Sequence, residues 1–131
     1  MKIQLFQMEI MEGEVKQNEN RIESLFEEKL HVDTEIVVIP EMWNAGYDLK
    51  NVAEKADIDL KRAFPFIQRL AINHQVNIIA GSVSNKRNEN IYNTAFAVSK
   101  TGKLLYQKDK IHLVPMLDEH HYLTGGDEVP D

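Results

Sequence analysis

The sequence predicts an α/β fold, and three observations carry that reading: an apolar opening, an amphipathic stripe after it, and an apolar run that ends in Pro40-Glu41. In the opening, Ile3, Leu5, Phe6 and Met8 suit a first strand. Val15, Asn18, Ile22, Leu25, Phe26 and Leu30 then fall on one helical stripe, with Glu19, Arg21, Glu23, Glu27 and Glu28 on other faces. Such a stripe needs a sheet to cover. Asp33 and Thr34 mark a turn before a second strand, Glu35 to Pro40, which completes a crossover unit of the length parallel pairing requires. The run Ile36 to Ile39 reads as a strand buried on both faces, and Pro40, lacking an N–H, ends its pairing. Asn44 to Asp48 has the composition of a loop. Leu60, Ala63, Phe64, Ile67, Leu70 and Ala71 set out a second helix, in which Pro65 must either cause a kink or lie near the start. Val76 to Val83 reads as a third strand, Asn85 to Asn90 as a polar turn, Tyr92 to Val98 as a fourth strand, and Leu104-Leu105-Tyr106 as the start of a fifth. The order is βαβαβββ, followed by a polar tail.

Composition narrows the function classes. With 131 residues, 43% hydrophobic and 8% aromatic, the chain suits a single domain that buries a core. A net charge of −6 argues against a nucleic-acid partner, because phosphate binding needs a basic surface. No apolar stretch approaches the ~18 residues of a membrane span, and no secretory signal is readable, so a soluble, cytoplasmic protein without a membrane partner is expected. There is no cysteine, which removes disulfides, thiolate metal sites and cysteine nucleophiles from this chain.

Glu41 sits just past the carboxyl end of a predicted buried strand, where open α/β sheets bind ligands, so it is the first candidate for a working acid. Lys108-Asp109-Lys110 is by default a solvated strand end. Trp43 and Tyr47 have a plain reading as core or rim aromatics. Asp118, Glu119, His120, His121 and His112 contain metal-ligand residue types, but their spacing fits no strong signature, and adjacent histidines on an extended segment face opposite ways, so no metal is expected. Gly125-Gly126 lacks the phosphate-loop pattern and reads as a turn. Ser82, Ser84, Ser99 and Thr94 lie outside any nucleophile elbow.

Pro40-Glu41, Tyr106 to Leu113 with its Lys110-Ile111-His112-Leu113, and Asp118 to Gly126, taken in order with Ala80-Gly81-Ser82 and Tyr92-Asn93-Thr94-Ala95, resemble the nitrilase, or carbon-nitrogen hydrolase, superfamily over residues 1 to about 128. The resemblance implies part of an αββα sandwich, its βαβαβββ portion, and a reaction that breaks nonpeptide C–N bonds with a Glu, Lys, Cys triad and no cofactor. It implies Glu41 as general base, Lys110 as the cation beside the tetrahedral intermediate, Glu119 as a supporting carboxylate, and Trp43 and Tyr47 as substrate-pocket contacts. The stretch from Pro40 to Tyr47 is most similar to ω-amidase-type members, which deamidate 2-oxo acid amides.

A carboxylate in reach of a thiol takes its proton, and a fixed ammonium stabilises the oxyanion that follows attack on the amide. The resemblance places the nucleophile beyond the Gly-rich segment, and no cysteine stands in residues 1–131, so they are expected to be a truncated hydrolase domain, inactive alone. Two alternatives stay open: one half of a split amidase completed by a carboxy-terminal partner, or a non-catalytic interaction module. Family members usually pair, so a homo-oligomer or a complementary half is the expected partner, with a small carboxamide as substrate once the site is complete. A lone half would leave its inner sheet face wet, along Ile36 to Ile39 and Ile78 to Ala80, and its stability marginal.

Overall fold

The computed structural model describes residues 1–110 and 123–126. Its elements run β1 (Ile3–Leu5), α1 (Val15–Lys29), β2 (Ile36–Val38), α2 (Val52–Lys55), β3 (Asp57–Ile58), α3 (Ala63–His74), β4 (Asn77–Arg87), β5 (Asn90–Val98) and β6 (Leu104–Asp109). The expected βαβαβββ order is present. The additions are α2, with a 3-10 turn before it, and the two-residue β3, both in the stretch between the Glu41 loop and the second predicted helix.

The sheet has the order β1-β2-β4-β5-β6, with β3 joining β4. β1, β2 and β4 are parallel, as the crossovers through α1 and α3 demand, and β4, β5 and β6 form an antiparallel meander. β2 pairs the first part of β4 and β3 pairs its far end, so one edge of β4 serves two strands with a gap between them. The chain from Pro40 to Tyr47 leaves the sheet through that gap.

Three backbone devices shape it. Ile39 N–H still reaches Ile79 O at 3.1 Å, and pairing stops at Pro40, which has no N–H. Opposite it, β4 carries an irregularity between Ile79 and Ser82, and Gly81 there has φ 56°. A Cβ on Gly81 would lie 1.9 Å from Pro40 O, so only glycine lets the two chains approach. The side-chain amide of Asn44 then stands where a strand would: its Nδ2 donates to Ser84 O at 3.1 Å and its Oδ1 accepts from Ser84 N–H at 3.0 Å.

α1 and α3 cover one face of the sheet and bury Ile22, Leu25 and Phe26 of α1 and Phe66, Ile67 and Leu70 of α3 against Val37, Ile39, Ile78, Ala80, Phe96 and Val98. β2 is therefore buried on one face, not two: Val37 and Ile39 are in the core, whereas Ile36 and Val38 on the opposite face are only partly covered. That opposite face is apolar and open. Ile3, Leu5 and Ile79 are 58%, 63% and 48% exposed, and Tyr106 joins them across the register Leu5-Val38-Ile79-Ala97-Tyr106.

Pro65 is the third residue of α3, where a missing N–H costs nothing, so it starts the helix and does not kink it. Asp57 caps the same helix, its carboxylate accepting the N–H groups of Arg62 (3.1 Å) and Ala63 (2.7 Å). Glu19 is buried, against expectation. Arg62 of the α3 start grips it with Nε at 2.9 Å and Nη2 at 2.8 Å, which joins the two helices.

Candidate active site

Glu41 leaves the carboxyl end of β2 just after the gap opens, and Lys110 follows the last residue of β6, so two strand ends far apart in sequence deliver the two groups. Met42, next to the acid, holds φ 54° while its N–H donates to Ser82 Oγ at 3.0 Å and Trp43 N–H donates to Ser82 O at 3.1 Å. The left-handed turn is thus tied to β4 on both sides, which aims the Glu41 side chain away from the core. Lys110 is set from its own backbone: its N–H donates to Asn93 O at 2.7 Å, and its carbonyl accepts from Gly126 N–H at 2.8 Å. Asp109 before it is anchored by Arg87 and by Thr94 Oγ1 (2.7 Å).

The groups meet. Lys110 Nζ lies 3.4 Å from Glu41 Oε1, Tyr47 Oη donates to the same oxygen at 3.0 Å, and Asn93 Nδ2 donates to it at 2.7 Å. The Glu41 side chain is 50% exposed and that of Lys110 26%. Burial alone would raise the Glu41 pKa, but the hydrogen bonds from Asn93 and Tyr47 and the Lys110 charge outweigh it and hold the carboxyl below the ordinary glutamate range. The acid is ionised at neutral pH. It borders a cleft of ≈ 590 Å³ on the open sheet face, lined also by Gly81, Ser82, Ala95, Tyr106, Lys108 and Lys110.

Of the residues singled out in the sequence, Glu41 and Lys110 come together and Tyr47 touches the acid directly. Trp43 does not reach the cleft: it is 0% exposed, its Nε1–H donates to Ala80 O at 2.7 Å, and its ring packs on Phe66. In this structure Trp43 is therefore a core residue, packed with Phe66 and Ala80, and not a wall of the cleft that Glu41 borders. Tyr47 supports the acid instead of lining the cleft wall. Glu119, His112, His120 and His121 lie outside the described residues. Among the described residues no cluster of ligand-type side chains could hold a metal.

The hydroxyl candidates have other work. Ser82 Oγ holds Met42, Ser84 lies against Asn44, Thr94 holds Asp109, and Ser99 pairs with Thr101 in a turn. Asn93 does not stand out in the sequence. It is 1% exposed, inside β5, and its one sign in the sequence is its place in the Tyr92-Asn93-Thr94-Ala95 motif.

An acid and an amine presented on one cleft of this sheet define a class, and comparison with known proteins agrees: the chain belongs to the carbon-nitrogen hydrolase family, whose model matches residues 2–131. It is 50% identical over all of its length to a Staphylococcus aureus protein called "hydrolase in agr operon", covering 50% of that protein. It is 38% identical over 127 residues to a 2-oxoglutaramate amidase from Bacillus subtilis, covering 96% of this chain and 48% of the amidase. Among solved structures, a CN-hydrolase superfamily protein from Xanthomonas campestris superposes with a TM-score of 0.85 at 24% identity, over 96% of this chain and 46% of its own. Nit3 from Saccharomyces cerevisiae, a nitrilase-superfamily member, gives 0.77 at 25% identity, over 93% of this chain and 47% of its own. The chain spans about half the length of the curated relatives it matches.

Proposed function

We propose that this chain supplies the general base and the oxyanion-stabilising cation of an amidase that releases ammonia from small carboxamides of the 2-oxo acid type. One observation carries the reading: Glu41 and Lys110, from two strand ends, stand 3.4 Å apart on the rim of a cleft. The similarity to a 2-oxoglutaramate amidase supports the substrate class.

Glu41 would take the proton of a thiol, the thiolate would attack the amide carbon, and Lys110 would stand beside the oxygen that gains charge. Glu41 then returns the proton to the departing nitrogen as ammonia leaves, and water activated by the same carboxylate cleaves the thioester to the acid. The sulfur belongs to a segment outside this sequence, which contains no cysteine. In this reading the segment lies on the open sheet face, in the same polypeptide or in a complementary half, and the assembled enzyme pairs with further copies.

The test is ammonia release from 2-oxoglutaramate. Residues 1–131 alone give none, and the same residues joined to, or mixed with, a carboxy-terminal portion that carries the cysteine give turnover that falls at least ~10³-fold in Glu41→Gln and in Lys110→Ala. Turnover by the chain alone, or by the completed enzyme without Glu41, overturns the proposal.

A further inference from the structure

Among the described residues, the side chains that donate to Glu41 all fall on one of its two oxygens. Tyr47 Oη, Asn93 Nδ2 and Lys110 Nζ reach Oε1 at 3.0, 2.7 and 3.4 Å, and none of these bonds is made to Oε2. A carboxylate oxygen has about two lone-pair directions, so Oε1 is saturated. The donors come from three separate pieces of chain: the loop after β2, the middle of β5 and the end of β6.

Asn93 carries a cost that reveals its role. Its residue surface is 1% exposed, and among the described residues its Oδ1 has no hydrogen-bond partner. An orphaned buried carbonyl is unfavourable, and in most proteins the amide would turn or move to find a donor. Here it cannot turn. Flipping the amide would set Oδ1 against the Glu41 carboxylate and remove the 2.7 Å bond.

We infer that Asn93 and Tyr47 are positioning residues that clamp Oε1 of Glu41, which divides the carboxylate into an anchored oxygen and a working one, Oε2, that exchanges protons with the nucleophile and leaving group. This rests on the general-base reading of Glu41. The physical gain is directional. A carboxylate held by a single partner swings about its terminal torsion, whereas three donors at one oxygen fix the plane of the group and the direction of the remaining lone pairs. Two of the three donors are neutral, so the clamp persists when Lys110 turns toward a developing oxyanion.

Among the described residues, the titratable groups near the acid are Tyr47, Tyr106, Lys108, Asp109 and Lys110, and Asp109 is engaged by Arg87. The clamp is therefore readable without catalysis. In the 131-residue chain labelled with ¹³C at glutamate side chains, the Glu41 carboxyl titration is followed in Asn93→Ala, Asn93→Ser and Tyr47→Phe. The Glu41 midpoint shifts upward in Asn93→Ala and in Tyr47→Phe, and Asn93→Ser, which keeps a donor, recovers part of the shift. Tyr47 is only half-buried, so its variant reports even if Asn93→Ala fails to fold. Unchanged midpoints in folded Asn93→Ala and Tyr47→Phe overturn the clamp. A purely structural Asn93 would change stability and leave the titration where it was. Shifted midpoints with no amidase activity in the completed enzyme sink the proposed function and leave the clamp; unshifted midpoints with Glu41-dependent activity do the reverse.

Discussion

At Gly81 two stretches of main chain meet with no side chain between them. The position needs φ 56°, and an added Cβ would fall within 1.9 Å of Pro40 O, a backbone atom that cannot swing away. Gly81→Ala therefore combines left-handed strain with overpacking, about 2 to 5 kcal/mol in all, and should appear as a large drop in the urea midpoint. A loss within about 0.5 kcal/mol of zero would mean that the two chains do not touch so closely in solution. Glu41 offers a second residue-scale prediction. Its folded pKa is lowered, so the native state binds that proton less tightly than the unfolded chain does. The stabilising contribution is fully present above about pH 4.3, the ordinary glutamate value, and is lost as pH falls through the lower folded value. The stability difference between the chain and Glu41→Gln should thus stay constant near neutrality and shrink in acid. A difference that widened in acid would mean that the folded carboxyl titrates above its unfolded value. Glu41 was visible in the sequence because a buried strand ended there. Of its surroundings, Lys110 and Tyr47 came with the family resemblance, whereas Asn93 lies 52 residues away and nothing local marks it as a partner.

Helix α3 begins where it does because Asp57, five residues before the Arg62 cap position, turns back on its first N–H groups. Asp57→Ala should cost about 1 kcal/mol in chemical denaturation, while Asp57→Asn or Asp57→Ser keeps most of that. The same residue shows why β3 is invisible in the sequence. Asp57 and Ile58 are too short a pair to show alternation, and Asp57 is a poor strand former, so they pair because the far end of β4 leaves a free edge beside them. β4 itself runs past its expected end at Val83 to Arg87. The polar residues there resemble a turn, but Asn85 accepts from Leu60 N–H at 2.9 Å and Arg87 reaches across to Asp109, so tertiary partners keep the strand extended. By contrast α1, β2, α3, β5 and β6 were legible because each rests on an apolar pattern with its own period. Glu19 departs from its expected place for a related reason: periodicity ranks a carboxylate as outward, and only the bidentate Arg62 allows it inward.

At the scale of the whole molecule, among the described residues, one face of the sheet is covered and the other is largely open. Helices cover the first; on the second, Ile3, Leu5, Ile79 and Tyr106 stand in water beside the cleft. Contiguous apolar surface of this kind drives association. Residues 1–131 should sediment as concentration-dependent oligomers or aggregates, and Leu5→Lys with Ile79→Lys should shift them toward monomer, since those side chains leave little burial behind. Unaltered sedimentation in the double variant would point to another surface. The sequence marks Ile36 to Ile39 and Ile78 to Ala80 as the runs that would become wet; the helices cover alternate members of those runs, so Ile36 and Val38 are partly covered and Ile79 is exposed. No helix among the described residues is long and apolar enough to cross a membrane.

The touch between Gly81 and Pro40 has a consequence for how such a protein can change over time. Hydrocarbon side chains in the interior are interchangeable within limits of volume, so most of the interior is free to drift. Where the acid is hung, however, its place is dictated by peptide against peptide, which no exchange of residues elsewhere can retune. The Glu41 carboxylate is thereby insulated from the wandering of the material that surrounds it.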